Sequence, residues 1–143
     1  MNFESFINDF VIPENWSILS SRFNVESWTP AMQRMKIIGE IIEFYEALEH
    51  YKTVRSPLGF SYVIDELADI VISTCTLIKI LDRKYCQYTE AYEQNPEQWI
   101  LLVTSQRNDK LITNIEEYSR LVSIDLEGAI RRKLAYNRTR TDW

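Results

Sequence analysis

The stretch Thr29-Pro-Ala-Met-Gln-Arg-Met-Lys-Ile-Ile-Gly-Glu-Ile-Ile-Glu-Phe-Tyr-Glu-Ala-Leu-Glu-His-Tyr51 carries the first and strongest instruction about the fold. Thr29 offers a hydroxyl as N-cap, and Pro30 stands at the first helical position, where its missing N–H leaves nothing unsatisfied. Ile37, Ile41, Phe44, Leu48 and Tyr51 then recur at i, i+4, i+7, i+11 and i+14, which is one stripe of an α-helix. Ile38, Ile42 and Tyr45 spread the apolar surface beyond that stripe. A helix so dressed wants more than one neighbour, so the chain is expected to assemble as a homodimer or homotetramer.

Downstream, Lys52 to Phe60 contains Ser56-Pro57-Leu58-Gly59, breaks the pattern and reads as the turn of an αα-hairpin. A second helix is predicted from about Ser61 to Leu81, with Val63, Leu67, Ile70, Val71, Thr74, Ile78 and Leu81 on its apolar side. Gln87 to Gln98 reads as a polar connection closed by Asn95-Pro96. The apolar run Trp99 to Val103 is assigned to a helix on context. Leu111, Ile115, Tyr118 and Val122 restore a helical stripe, and a last helix runs from Asp125, its N-cap, to about Arg138. Upstream, two short amphipathic pieces, Phe3 to Phe10 and Trp16 to Phe23, flank Pro13.

The expected fold is therefore all-α: an antiparallel helical hairpin extended to a four- or five-helix bundle, forming one domain over 1–143. Composition agrees. The 143 residues are 45% apolar and 26% charged, and three glycines leave room for neither a GxxxxGK[ST] phosphate loop nor a GxGxxG dinucleotide turn. One histidine, His50, and two cysteines, Cys75 and Cys86, cannot make a His/Cys zinc site. The net charge of −5 argues against nucleic acid as a bulk partner. The longest strongly apolar stretch, Ile70 to Ile78, is far short of the ~20 residues that span a bilayer. A cytoplasmic, membrane-free protein is expected, with its cysteines reduced.

Carboxylates are what remain for chemistry. Glu40-Ile-Ile-Glu43 lies on the first long helix and Glu66-Leu-Ala-Asp69 on the second, and residues three apart share a helical face. Counted from the turn, the two pairs differ in height by only ~5 Å at 1.5 Å per residue. Glu-x-x-Glu alone is common on solvated faces. Two such pairs at matching height on consecutive helices predict convergence, and four acids together repel unless a cation joins them. Hard oxygen ligands suit Mg²⁺, with Mn²⁺ as an alternative. A di-iron carboxylate bundle would need two Glu-x-x-His motifs, which one histidine cannot supply. On the last helix Lys133, Asn137 and Arg140 fall at i, i+4 and i+7, either a phosphate-reading face or a basic last turn ended by Asn137. Lys36 precedes Glu40 by one turn, as its ion-pair partner or as a phosphate contact. Trp28, and less so Trp16 and Tyr62, offer rings for stacking on a base. His50 reads as a surface residue and Cys75 as core.

Glu40-x-x-Glu43 followed by Glu66-x-x-Asp69 resembles the metal-binding signature of the all-α nucleoside triphosphate pyrophosphohydrolases, the MazG-like superfamily. The stretch from Ile124 to Arg140 is similar to that family's closing helix, with a Lys and an Asn four apart followed by an Arg. The resemblance covers roughly Ala31 to Ile80 and Ser123 to Arg140, and the stretch between Leu81 and Val122 is longer than in compact members. It implies Mg²⁺ held by Glu40, Glu43, Glu66 and Asp69; of these carboxylates Glu43 is the one expected to orient or deprotonate the metal-bound water. The implied substrate is a (deoxy)nucleoside triphosphate, split to monophosphate and pyrophosphate. Phosphoribosyl-ATP is the alternative substrate within the enzymes, and a non-catalytic helical adaptor or regulator is the rival from outside them.

Overall fold

Thr29 and Ser56 begin the two longest helices in the same way. The Thr29 hydroxyl accepts from the Met32 N–H at 3.2 Å and Pro30 opens α3 (Pro30–Val54), while the Ser56 hydroxyl accepts from the Gly59 N–H at 2.9 Å and Pro57 opens α4 (Pro57–Ile80). These belong to a computed structural model that describes residues 2–89, 96–105 and 108–143. The turn expected over Lys52 to Phe60 is therefore far tighter. Arg55 adopts the left-handed conformation (φ 51°) and returns its N–H to the Tyr51 carbonyl at 2.7 Å, and Ser56 already caps the next helix. Ser-Pro looked like a break, but its chemistry is that of a helix start.

The segment ahead of α3 also departs from expectation. In place of two pieces around Pro13, α1 (Phe3–Phe6) runs through a π-turn at Ile7–Val11 directly into α2 (Ile12–Ser20). Ile12 N–H reaches back five residues to the Ile7 carbonyl. The widened turn gives the Pro13 ring room and absorbs its missing donor, which a regular helix could not do without a kink. Phe6, Ile7, Val11 and Ile18 are buried as a result.

After α4, Tyr85 crosses back over the bundle. Asn8 grips its backbone from both sides, donating to its carbonyl and accepting from its N–H at 2.8 Å each, and its hydroxyl meets Thr113 Oγ1 at 2.8 Å. The connection expected over Gln87 to Gln98 lies largely outside the described residues, and from Pro96 it already belongs to α5 (Pro96–Thr104). Then come α6 (Asn108–Leu121) and α7 (Leu126–Thr139), the latter capped by Asp125, which accepts from the Gly128 N–H at 3.0 Å. Trp99 validates the helical assignment of its run. It stacks on Phe44 at 5.4 Å and meets Tyr118 edge-on at 5.9 Å, tying α3, α5 and α6 together.

Among the described residues there is no strand, and six helices, α2 to α7, pack together where four or five were expected. α4 is the axle. It is buried almost continuously from Leu67 to Ile78 because α3, α7, α2 and α6 all pack on it, and a helix apolar on every side needs such company. Two buried polar contacts fix the register near the acidic residues: Gln33 Nε2 donates to the Ser73 carbonyl at 2.9 Å, and Asn15 Nδ2 to Thr76 Oγ1 at 2.8 Å.

Candidate metal and phosphate site

Glu43 and Glu66 stand at nearly equal distances in sequence from Arg55, so the antiparallel hairpin sets them level. Glu40 lies one turn along α3. Carboxylate oxygens of Glu40, Glu43 and Glu66 all come within 4.8 Å of one another. Glu66 Oε2 is buried there without a hydrogen-bond partner. Burial, reinforced by Asp69 and Glu43, pushes the Glu40 carboxyl up to about 7. Burial and the charges of Asp69, Glu43 and Glu40 push Glu66 up to about 8.

Asp69, the fourth expected ligand, stands beside this trio but faces α7. Its Oδ1 is 3.3 Å from Lys133 Nζ. Burial raises its carboxyl and Lys133 pulls it back down. Three of the four carboxylates therefore converge, and the fourth links them to the basic residues of the last helix.

Beside the trio opens a cavity of about 220 Å³. Glu40, Glu43 and Asp69 line it together with Lys36, Lys133, Asn137 and Arg140. The three residues expected on one face of α7, Lys133, Asn137 and Arg140, share this lining. The helix ends at Thr139 and Arg140 is its cap, yet all three side chains still reach the same space. Lys36 lines the same cavity, and its charge partly opposes the rise of the Glu40 carboxyl. Trp28 does not line this cavity. It borders a recess of about 150 Å³ with Met32, Gln33 and Lys36, and its ring lies 5.7 Å from Phe23.

Tyr62 and His50 border a separate recess of about 360 Å³ on the far side of the trio, with Glu43 and Glu66. Trp16 is in another cavity altogether, with Lys79 5.9 Å from its ring. Cys75 is buried, as expected. Sequence reasoning missed Trp143, which lines the acidic cavity and packs 5.4 Å from Phe23. Nothing signalled it, because it follows the end of α7 and belongs to no periodic pattern.

The donor set of Glu40, Glu43 and Glu66 is all oxygen. Glu66 Oε2, buried without a hydrogen-bond partner, and the crowded carboxyls of Glu40 and Glu43 are oxygen donors of the kind a hard divalent cation takes. Lys133 and Arg140, which line the same cavity, bring a point charge and a guanidinium fork, groups able to pair with phosphate oxygens. Compared with family models, with curated proteins and with solved structures, the chain matched none. The functional reading therefore rests on these residues and on the motif resemblance they carry.

Proposed function

We propose that the chain is a Mg²⁺-dependent nucleoside triphosphate pyrophosphohydrolase of the MazG-like kind, acting on a (deoxy)nucleoside triphosphate. The observation that carries this reading is one cavity lined by Glu40, Glu43 and Asp69 together with Lys133, Asn137 and Arg140, with Glu66 completing a carboxylate trio beside it. Glu40, Glu43 and Glu66 would hold the ion, with Asp69 joining them by exchanging Lys133 for metal. Bound there, Mg²⁺ supplies charge to polarise phosphoryl oxygens and to acidify a water molecule.

The chain's own groups do the rest. Glu43, the most exposed of the trio, takes the proton from the attacking water. The water oxygen bonds to the α-phosphorus, the bond from that phosphorus to the bridging oxygen breaks, and pyrophosphate leaves with the bonding pair. Lys133 and Arg140 bind the β- and γ-phosphate oxygens, and Asn137 supplies a neutral hydrogen-bonding group between them. Among the described residues no helix is long and apolar enough to cross a membrane. A cytoplasmic location and a homodimer or homotetramer belong to the same proposal. The exposed Met32, Met35 and Ile42 on α3 support the latter.

A panel of triphosphates incubated with the protein and Mg²⁺ tests the reading, with pyrophosphate and orthophosphate followed separately. Pyrophosphate and monophosphate in equal amounts are expected. Orthophosphate alone contradicts the proposed bond, and phosphoribosyl-ATP as the one substrate cleaved selects the alternative enzyme. No turnover and no Mg²⁺-dependent rise in melting temperature select the adaptor.

A further inference from the structure

Arg140 faces the cavity with an anion already on it. Asp142 Oδ1 accepts from Arg140 Nε at 2.8 Å and Asp142 Oδ2 from Nη2 at 3.3 Å, the paired arrangement a phosphate would take on the same fork. The guanidinium is set into the wall, its side chain 22% exposed, while the carboxylate is 64% exposed and open to solvent. The Arg140 hydrogen bond holds the Asp142 carboxyl below its usual range, so it remains an anion.

The same short segment puts Trp143 on the cavity. Its ring lies 4.8 Å from the Arg140 guanidinium carbon and 5.2 Å from that of Arg22. Arg22 donates at 2.7 Å to the carbonyls of both Arg138 and Arg140, which fixes where the segment starts.

We propose that Asp142 is an internal stand-in for a substrate phosphate, occupying Arg140 until a polyphosphate chain displaces it, with Trp143 moving as it leaves. This rests on the pyrophosphohydrolase reading and adds a basis for chain-length selection. A triphosphate replaces one exposed ion pair with contacts to Arg140, Lys133 and the metal together. A monophosphate offers too few groups to reach all three, so Asp142 reclaims Arg140 and the product is expelled.

Calorimetric titration of the full chain with inorganic tripolyphosphate and with orthophosphate, both in Mg²⁺, tests it. Asp142→Asn is expected to bind tripolyphosphate about three- to fivefold tighter, the scale of an exposed ion pair. That gain is expected to vanish in the Arg140→Gln background, and orthophosphate is expected to gain on tripolyphosphate when Asp142 is replaced. Tripolyphosphate should change the tryptophan emission of the wild type, and Trp143→Phe should abolish the change. Equal binding by wild type and Asp142→Asn overturns the stand-in while leaving the enzyme reading intact. A gain that persists in the Arg140→Gln background also overturns it, since that is mere loss of a negative charge. Absence of tripolyphosphate binding by every variant overturns both.

Discussion

Lys133 Nζ lies 3.3 Å from Asp69 Oδ1, with the two side chains only 22% and 21% exposed. This pair makes Asp69 unlike the neighbouring acids. Burial drives its carboxyl up and Lys133 opposes the drive, whereas at Glu66 burial and three neighbouring carboxylates act together. Lys133 is thus the partner of Asp69, and under the proposed function it would also be a partner of the substrate phosphates.

Lys133→Ala is expected to raise KM for the triphosphate about tenfold, the effect of losing roughly 1.4 kcal/mol of binding, while kcat and Mg²⁺ affinity change less. The same variant leaves Asp69 largely buried without its cation, so thermal denaturation is expected at lower temperature. An unchanged KM would place the phosphates elsewhere.

Glu66→Gln separates stability from activity. The wild-type carboxylate is held among like charges in a half-buried position, and the amide keeps its shape without the charge. The metal-free variant should melt at a higher temperature than the wild type, and its Mg²⁺-dependent rise in melting temperature should shrink. Turnover should fall at least ~10²-fold, since metal charge stabilisation is worth several kcal/mol in the transition state. Asp69→Asn should cost activity similarly but should not stabilise, because it strands Lys133. Turnover within about twofold of wild type for Glu66→Gln under saturating Mg²⁺ and substrate would remove the trio from the mechanism.

The pH dependence follows from the same carboxyls. Glu40 and Glu66 are raised from 4.5 to about 7 and about 8, so the folded state binds protons that the unfolded state has released. Their contribution is fully present below about pH 4.5 and is lost as pH climbs through 7 and 8. Between pH 5.5 and 8.5 the metal-free protein should therefore lose thermal stability as far as these groups are concerned. Mg²⁺ competes with the protons, so its stabilising effect should grow over the same interval. Melting curves with and without Mg²⁺ across that range test this. A gap between them that is independent of pH would mean the ion binds away from Glu40 and Glu66.

Much of this site was legible in the sequence because helical spacing is rigid. Glu40, Glu43 and Glu66 converge where their positions on two facing helices put them, and Lys133, Asn137 and Arg140 share a face for the same reason. The length of the hairpin turn was not legible. Ser56-Pro57 carries both the chemistry of a break and that of a helix start, and what decides between them is whether Arg55 can adopt a left-handed conformation. The π-turn at Ile7–Val11 was equally hidden, since Pro13 signals an interruption without saying how the backbone will absorb it. Asp142 and Trp143 lie beyond the last helix, where no period applies, and only tertiary contacts bring them to the cavity.

The apolar arc of α3 yields the last prediction. At ~100° per residue, Met32, Met35, Gly39 and Ile42 fall together on the side opposite Ile37, Ile41 and Phe44. Met32, Met35 and Ile42 are 59%, 74% and 46% exposed. A Cβ built on Gly39 meets nothing within 4 Å, so the arc has a shallow place at its centre where a second helix could approach closely. Glu43 lies at the border of this arc, which brings any partner alongside the carboxylate trio. Size-exclusion chromatography with light scattering should accordingly give at least twice the 17.0 kDa of one chain, and the melting temperature should rise with protein concentration. Met35→Lys and Ile42→Lys each place a charge on the arc at an exposed position outside the core, so the fold should survive and the assembly should not. Both variants should elute as single chains, with melting temperatures independent of concentration. A wild-type species of 17.0 kDa at micromolar concentration overturns the second copy and leaves the arc as ordinary exposed surface.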